Sequence, residues 1–350
     1  MTSASDIRAA AGPPFISVII ITFNEEDSIR DCLDSLLDLD YPDEKYEIIV
    51  VDASTDRTPG IIASFERVRL LRAPKGFSVQ KNEGLKASRG TIVAFTDADC
   101  IVPRDWLSVM ARAFRDPRVT AVGGNAYPPP GTGRFGKWVA SVGHPAGGSI
   151  GFDANVSRSP AGIEFVAGCN SGYRKSRLDI IGGFHSEFAD GGEDVDLSRR
   201  LKEAGYFIDY IPDLTVFHKP RKTMRSYLRW NVQVGITKYN IRRPGPLKII
   251  FQPSFPFWTA CLLGSFLALP NFPWTQLTLG AVLYTAFLAV LWIKARPYPL
   301  LVKRRKTIGI SLFSILTVVP ALIFLRQECI NIGQFKKWLG TMIGRSEPAT

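Results

Sequence analysis

The sequence predicts an α/β fold, a doubly wound and mostly parallel sheet, on two observations. Apolar β-type runs and helical stripes alternate four times in about 110 residues, as successive βαβ units do. Polar side chains also recur at the predicted carboxyl ends of the runs: Asn24, Asp52, Asp56, Asp97 and Asp99. In open parallel sheets ligands bind beyond those ends, so the recurrence points to a single site.

Phe15 to Phe23 is an almost uninterrupted apolar run, the pattern of a parallel strand covered on both faces. Asn24 then reads as a helix N-cap, with Asp27 three residues on, before an apolar stripe of Ile29, Cys32, Leu33, Leu36 and Leu37. Tyr46 to Val51 is the second expected strand, and Thr58-Pro59 opens the next helix. Val68 to Leu71 is a short strand, Phe77 to Ser88 has helical spacing, and Thr91 to Phe95 is a buried strand. Trp106, Val109, Met110, Ala113 and Phe114 supply a further helix face, followed by a strand at Val119 to Val122.

The strand from Thr91 ends in Thr96-Asp-Ala-Asp99. Two carboxylates at the tip of a buried strand repel each other, and a hard divalent cation of the Mg²⁺ or Mn²⁺ kind relieves that repulsion. A plain aspartate turn is the other reading of an isolated Asp-x-Asp. Asp52 leaves the same pair open: contact with a base or ribose, or an Asx turn.

Residues 123–162 are rich in Gly, Pro and Ser and read as an excursion near the site. Gly168-Cys-Asn-Ser-Gly-Tyr173 reads as a glycine-bracketed turn. Asp190-Gly-Gly-Glu-Asp-Val-Asp196 leads into Leu197, Leu201 and Ala204 at helical spacing. Glu193, Asp194 and Asp196 there are either helix-start acids or include a general base facing a cleft. Phe207 to Ile211 and Leu214 to Phe217 are two short strands ending at His218.

Basic residues interleaved with Tyr227, Trp230 and Tyr239 follow, which suits a helix at a membrane surface. Three apolar segments come next, Ile249 to Leu269, Leu277 to Ile293 and Ile308 to Leu325, each near the ~17–25 residues that span a bilayer. The loop Lys294 to Lys306 is strongly basic and is expected on the cytoplasmic side. Pro320 leaves room for a re-entrant third segment.

The net charge of +11 fits an anionic membrane face or phosphorylated substrates. No finger spacing, RNP-like motif or basic heptad region is present, so nucleic acid is not an expected partner. Five widely spaced cysteines without Cys-x-x-Cys argue for a reducing compartment. Residues 1–14 lack an apolar stretch, so no signal peptide is expected and the N-terminal part is expected in the cytoplasm. Gly-x-Gly-x-x-Gly and the P-loop pattern are absent from the first ~120 residues.

Six stretches in order resemble the inverting glycosyltransferases of family 2, with the GT-A fold. They are Val18-Ile-Ile-Ile-Thr-Phe-Asn-Glu25, Val50 to Thr58, Lys81-Asn-Glu-Gly84 with Ala87-Ser-Arg-Gly90, Thr96-Asp-Ala-Asp99, Gly168 to Gly172, and Gly192-Glu-Asp-Val-Asp-Leu197. The resemblance implies a nucleotide-sugar donor and a Mg²⁺ or Mn²⁺ cofactor. It places Thr22, Asn24, Glu25, Asp52, Asp56, Lys81, Asn82 and Asp97 around the donor, and Asp99 and His218 at the metal. Asp194 is the implied base, and Asn170, Glu193, Arg229 and Trp230 fall in the acceptor or phosphate region. Processive relatives carry Gln-x-x-Arg-Trp, whereas this chain has Ser226-Tyr-Leu-Arg-Trp230.

The expected organisation is a disordered 1–14, a GT-A domain over 15–222, an interfacial segment over 223–248, a transmembrane region over 249–325 and a basic tail over 326–350. The expected enzyme sits at the cell membrane as a multi-pass protein with its catalytic domain cytoplasmic. It adds one sugar to a lipid-linked or membrane-near hydroxyl. Transfer to polyprenyl phosphate, a nucleotidyltransferase and a non-enzymatic membrane scaffold are the alternatives.

Overall fold

The computed structural model describes residues 12–142, 162–242, 309–316 and 318–343. The chain divides into two compact units. One draws on residues 1–131 and 145–219, the other on 132–144 and 220–348.

The first unit is an eight-stranded sheet flanked by helices. Strands β1 (Ile16–Thr22), β2 (Tyr46–Asp52), β3 (Val68–Arg72) and β4 (Ile92–Asp97) pair in parallel, as the alternation predicts. Ile16, Val18, Ile19, Ile20, Ile49, Val50, Val51, Val93 and Ala94 have no exposed surface, which is why these strands read as continuous apolar runs. Helix α1 (Ile29–Leu37) buries Ile29, Cys32, Leu33 and Leu36. Helices α2 (Thr58–Ala63), α3 (Phe77–Ala87) and α4 (Trp106–Ala113) complete the first layers, and α3 lies across β1 and β2.

Beyond β4 the sheet is mixed rather than mostly parallel. Its order is β3-β2-β1-β4-β7-β6-β8-β5, where β5 is Cys100–Ile101, β6 Val119–Tyr127, β7 Asn170–Arg174 and β8 Phe207–His218. β7 runs antiparallel to both neighbours, β4 and β6, and β5 runs antiparallel to β8. β7 begins at the carboxyl end of β4, with Asn170 opposite Thr96, and so runs back along β4. The expected glycine-bracketed turn is therefore confined to Gly168-Cys169, closed by the Asn170 amide donating to the Ala167 carbonyl at 3.1 Å, and Asn170 to Tyr173 belong to β7, with Asn170 in register with Thr96.

β8 is one strand, not two. The register with β6 shifts between Gly123 and Asn125, and Asn125 Nδ2 donates to the Pro212 carbonyl at 3.1 Å. The bulge places Pro212 outward, where its missing N–H costs nothing. Helices α6 (Lys175–Ile181) and α7 (Glu193–Glu203) belong to this unit as well.

The second unit contains α5 (Arg134–Ser141), α8 (Met224–Arg242), α9 (Leu312–Leu316) and α10 (Val318–Met342). Within it α8 packs along α10, and the fully buried Tyr227 donates its hydroxyl to the Leu322 carbonyl at 3.0 Å. The apolar segments at Ile249 to Leu269 and Leu277 to Ile293 lie outside the described residues. The third is partly described: α10 begins within it and continues to Met342. Among the described residues no helix is long and apolar enough to cross a membrane.

Candidate active site

The pairing register assembles the site at the carboxyl ends of β1, β2 and β4. Thr22 lies opposite Asp52, and Ile21 opposite Asp97. With β1 between them, the two aspartates stand about two strand spacings, or roughly 10 Å, apart.

Asp52 is fully buried, and both of its carboxylate oxygens are engaged. Its Oδ1 accepts from Thr22 Oγ1 at 2.6 Å and from the Ser54 amide at 3.1 Å, and its Oδ2 pairs with Arg72. Arg72 also donates to the Ser54 carbonyl at 2.9 Å, which braces the loop after β2. Gln80 reaches back from α3 to the Thr22 and Val51 carbonyls at 2.9 and 2.8 Å. Neither Arg72 nor Gln80 stood out in the sequence. The register Asp52↔Arg72 explains the first, and a polar residue on the buried face of α3 was the available signal for the second.

Asn24 is not the N-cap of α1, which Ser28 precedes. Among the described residues it is the one non-glycine with positive φ, at 58°. There its amide donates to Ser54 Oγ at 2.7 Å, and its Oδ1 accepts from the Thr55 amide at 2.9 Å. The Glu25 amide donates to Thr58 Oγ1 at 2.9 Å, and Asp56 Oδ1 accepts from the Thr58 amide at the same distance. Thr22, Asn24, Glu25, Asp52 and Asp56 therefore belong to one hydrogen-bonded rim.

Asp97, Asp99 and His218 form a second cluster. His218 ends β8, and its partner across β5 is Cys100, the residue after Asp99. Its Nε2 lies 3.5 Å from Asp97 Oδ2 and 3.5 Å from Asp99 Oδ1. Burial disfavours charge on this imidazole, but Asp99 and Asp97 outweigh it and lift the pKa to about 9. His218 thus stands beside both carboxylates, and its ring nitrogen shares each of two ligand groups with one of them, Asp97 with Cys169 and Asp99 with Cys100, donor types that a divalent metal ion accepts.

The third cluster stands at the start of α7. Gly192 takes φ 94°, a left-handed turn that a side chain would strain, and sends the chain directly into Glu193-Asp194. Lys81 and Glu193 form a buried ion pair, side chains 5% and 6% exposed. Phe95 and Phe184 flank the ammonium at 5.7 and 5.4 Å from their ring centres. Asp194 Oδ2 accepts from the Gly168 amide at 3.1 Å and Oδ1 from the Val195 amide at 2.8 Å. Burial, and then the neighbouring Glu193, push the Asp194 carboxyl up to about 6, against the pull of Lys81 and the two amides. Gly168 links this cluster to the metal-type one, because Cys169 lies beside Asp97 and His218. A Cβ at Gly168 would come within 2.8 Å of Lys81 Nζ, so a larger residue there would displace the ammonium.

Other expected site residues have their polar atoms occupied elsewhere. Asn170 accepts from Trp106 Nε1 at 2.9 Å and donates to the Asn125 and Leu214 carbonyls. Asn82 makes a two-way bond with the Phe184 backbone, at 2.7 and 2.9 Å. Arg229 and Trp230 lie on α8 in the second unit, where Arg221 stacks over the Trp230 ring at 4.7 Å.

Residues 17–181 match the family described as Glycosyl transferase family 2. Over 232 residues the chain is 28% identical to glycosyltransferase AglE of Haloferax volcanii, covering 63% of this chain and 72% of AglE. Over 342 residues it is 26% identical to the dolichyl N-acetyl-alpha-D-glucosaminyl phosphate 3-beta-D-2,3-diacetamido-2,3-dideoxy-beta-D-glucuronosyltransferase of Methanococcus voltae, covering 92% and 96% of the two chains. The mannosyltransferase PcManGT from Pyrobaculum calidifontis, solved with GDP-Man and Mn²⁺, shares the fold. Its TM-score is 0.53 at 23% identity, over 94% of this chain and 90% of that one.

Proposed function

The chain is a glycosyltransferase with a family 2 domain, and from that premise we propose that it transfers one sugar from a nucleotide-sugar donor, with inversion, to a hydroxyl of a lipid-linked or membrane-near acceptor. The observation that carries this reading is Asp194. It is a partly buried carboxylate whose pKa burial and Glu193 push up to about 6, and Gly168, whose amide it accepts from, precedes Cys169 of a cluster suited to a metal.

The residues divide the work by their chemistry. Asp52, held rigid by Thr22, Ser54 and Arg72, faces the nucleoside end, with Asn24, Glu25 and Asp56 on the same rim. Asp99 and His218, with Asp97 beside them, would hold Mg²⁺ or Mn²⁺. That ion, when bound, offsets the negative charge of the departing nucleoside diphosphate. Asp194 accepts the acceptor's proton as its oxygen bonds the anomeric carbon and the bond to the diphosphate breaks. A carboxyl near pKa 6 is ionised at neutral pH and still basic enough to help. Lys81 is taken up by its ion pair with Glu193, while Asp194 accepts from two backbone amides and serves as the proton acceptor of the Glu193-Asp194 pair.

The relatives support the acceptor class. The Methanococcus voltae relative is named for a dolichyl sugar phosphate. A Nostoc relative, 31% identical over 198 residues and so over 54% of this chain, is named beta-monoglucosyldiacylglycerol synthase. The apolar segments from Ile249 and the basic loop Lys294 to Lys306 support a membrane location with the catalytic unit on the cytoplasmic side.

The test is to incubate membranes containing the protein with a panel of radiolabelled nucleotide sugars and extract the lipid. One donor should label the lipid fraction in wild type and not in Asp194→Asn. Label that is equal in both would overturn the assignment of the base.

A further inference from the structure

Two thiols reach into the carboxylate–histidine cluster without a part in the proposed transfer. Asp97, Cys169 and His218 present ligand atoms all within 4.8 Å of one another, and so do Asp99, Cys100 and His218. Both cysteines are buried, Cys169 at 1% exposure and Cys100 at 0%. Cys100 Sγ points at the Cys169 carbonyl, 4.0 Å away. The two triads therefore pivot on one imidazole.

The imidazole is already oriented as a ligand. His218 Nδ1 lies 3.3 Å from the Lys219 carbonyl, where Nδ1–H can donate. A backbone acceptor of this kind fixes the ring and turns Nε2 toward an incoming ion. Nε2 in turn faces Asp97 and Asp99. The Asp97 side chain is 38% exposed and gives an ion its way in.

Ions of different softness rank these groups differently. Mg²⁺ and Mn²⁺ prefer the carboxylates and leave a buried thiol protonated. A thiophilic ion instead displaces the proton and takes sulfur, nitrogen and oxygen together, with a fourth position left open.

We propose that this cluster has a second, thiolate-bearing mode of coordination, in which Asp97, Cys169 and His218 hold a thiophilic divalent ion of the Zn²⁺ or Cd²⁺ class. On binding, Cys169 Sγ gives its proton to solvent and His218 Nε2 gives up any proton it carries. Three bonds to the ion replace them. Because His218 serves both modes, the thiophilic ion excludes the hard one. That exclusion rests on the proposed metal assignment; the thiolate site itself does not.

The probe is Cd²⁺ added to the full-length protein, read by sulfur-to-cadmium charge-transfer absorption in the ultraviolet. Wild type should bind with such a band. Cys169→Ser and His218→Gln should each weaken binding by at least about tenfold, since even outer-shell changes at metal sites cost that much. Undiminished band and affinity in both variants would overturn the proposal. The cadmium-113 NMR shift of wild type decides the matter even if a variant fails to fold, and a shift that reports only nitrogen and oxygen ligands would equally overturn it. Mn²⁺ should be released as Cd²⁺ binds, seen in its paramagnetic resonance spectrum. A charge-transfer band formed without release of Mn²⁺ would leave the thiolate site standing and remove His218 from the proposed hard-metal site.

Discussion

At Asp194 two opposing influences set the chemistry. Burial and Glu193 raise the carboxyl to about 6, while Lys81 and two backbone amides hold it from going higher. Asp194→Asn should lower kcat by about 10²–10⁴, the usual worth of a general base, and leave nucleotide affinity nearly unchanged by calorimetry. The pH profile follows from the sign. Below about 6 the carboxyl keeps its proton and cannot accept another, so kcat/KM should fall with acid and level off above. A wild-type profile flat from pH 5 to 8 would count against the role. Near-normal turnover of the variant would instead favour a phosphate acceptor, which arrives ionised. Lys81 is tested through its partner. Lys81→Met leaves Glu193 as a buried unpaired charge, a loss of about 3–5 kcal/mol in urea unfolding. Adding Glu193→Gln should recover much of it. In Lys81→Met the acid limb of the rate profile should also move to higher pH, because a positive neighbour of Asp194 is gone.

Elements matter here through the edges that they bring together. The sequence of β4 announces the two acids at its tip, but His218 reaches them only because β8 carries it to the short β5 strand beside Asp99. Asp99→Asn should preserve the fold by circular dichroism and lower turnover by orders of magnitude, and EDTA should reproduce the loss in wild type. Normal activity of that variant at saturating donor would remove Asp99 from the metal. The packing of α3 on β1 can be tested in its own right. A Cβ at Gly84 would come within 2.5 Å of Ile19 Cγ2. Gly84→Ala gains about 1 kcal/mol of helix propensity and loses about 1–3 kcal/mol to overpacking. The clash should win, with a lower urea midpoint. A midpoint at or above wild type would show that α3 stands further from the sheet.

For the whole molecule, charge is distributed unevenly along the chain. The net charge is +11, yet after Asp213 the sequence holds only two acids, Glu328 and Glu347. If the proposed membrane location holds, an anionic surface attracts the basic part of the chain by roughly 1 kcal/mol per Lys or Arg near it. The full chain should sediment with membranes in high salt and be released by detergent. A chain ending near Pro244 should be largely soluble and still bind nucleotide. Recovery of the full chain in the soluble fraction would overturn the membrane proposal.

What the sequence determined by itself was local. Runs such as Ile16–Thr22 and Tyr46–Asp52 are so apolar that only a doubly covered parallel strand accommodates them, and acids at their ends mark the site. The Glu193-Asp194 pair after Gly192 was legible for the same reason, since glycine and helix-start acids are short-range signals. Tertiary structure alone decided the direction of β7, the single bulged β8, and the partners of residues far apart in the chain. Lys81 and Glu193 stand 112 residues apart, and Asp52 takes Arg72 through register rather than sequence spacing. Asn24 is the instructive case: its residue type suits an N-cap, but the β1–β2 register sets Ser54 and Thr55 beside it. Two hydrogen bonds to them outweigh the strain of a left-handed backbone. Pairing of that kind has no periodicity along the chain, because it depends on which strands become neighbours.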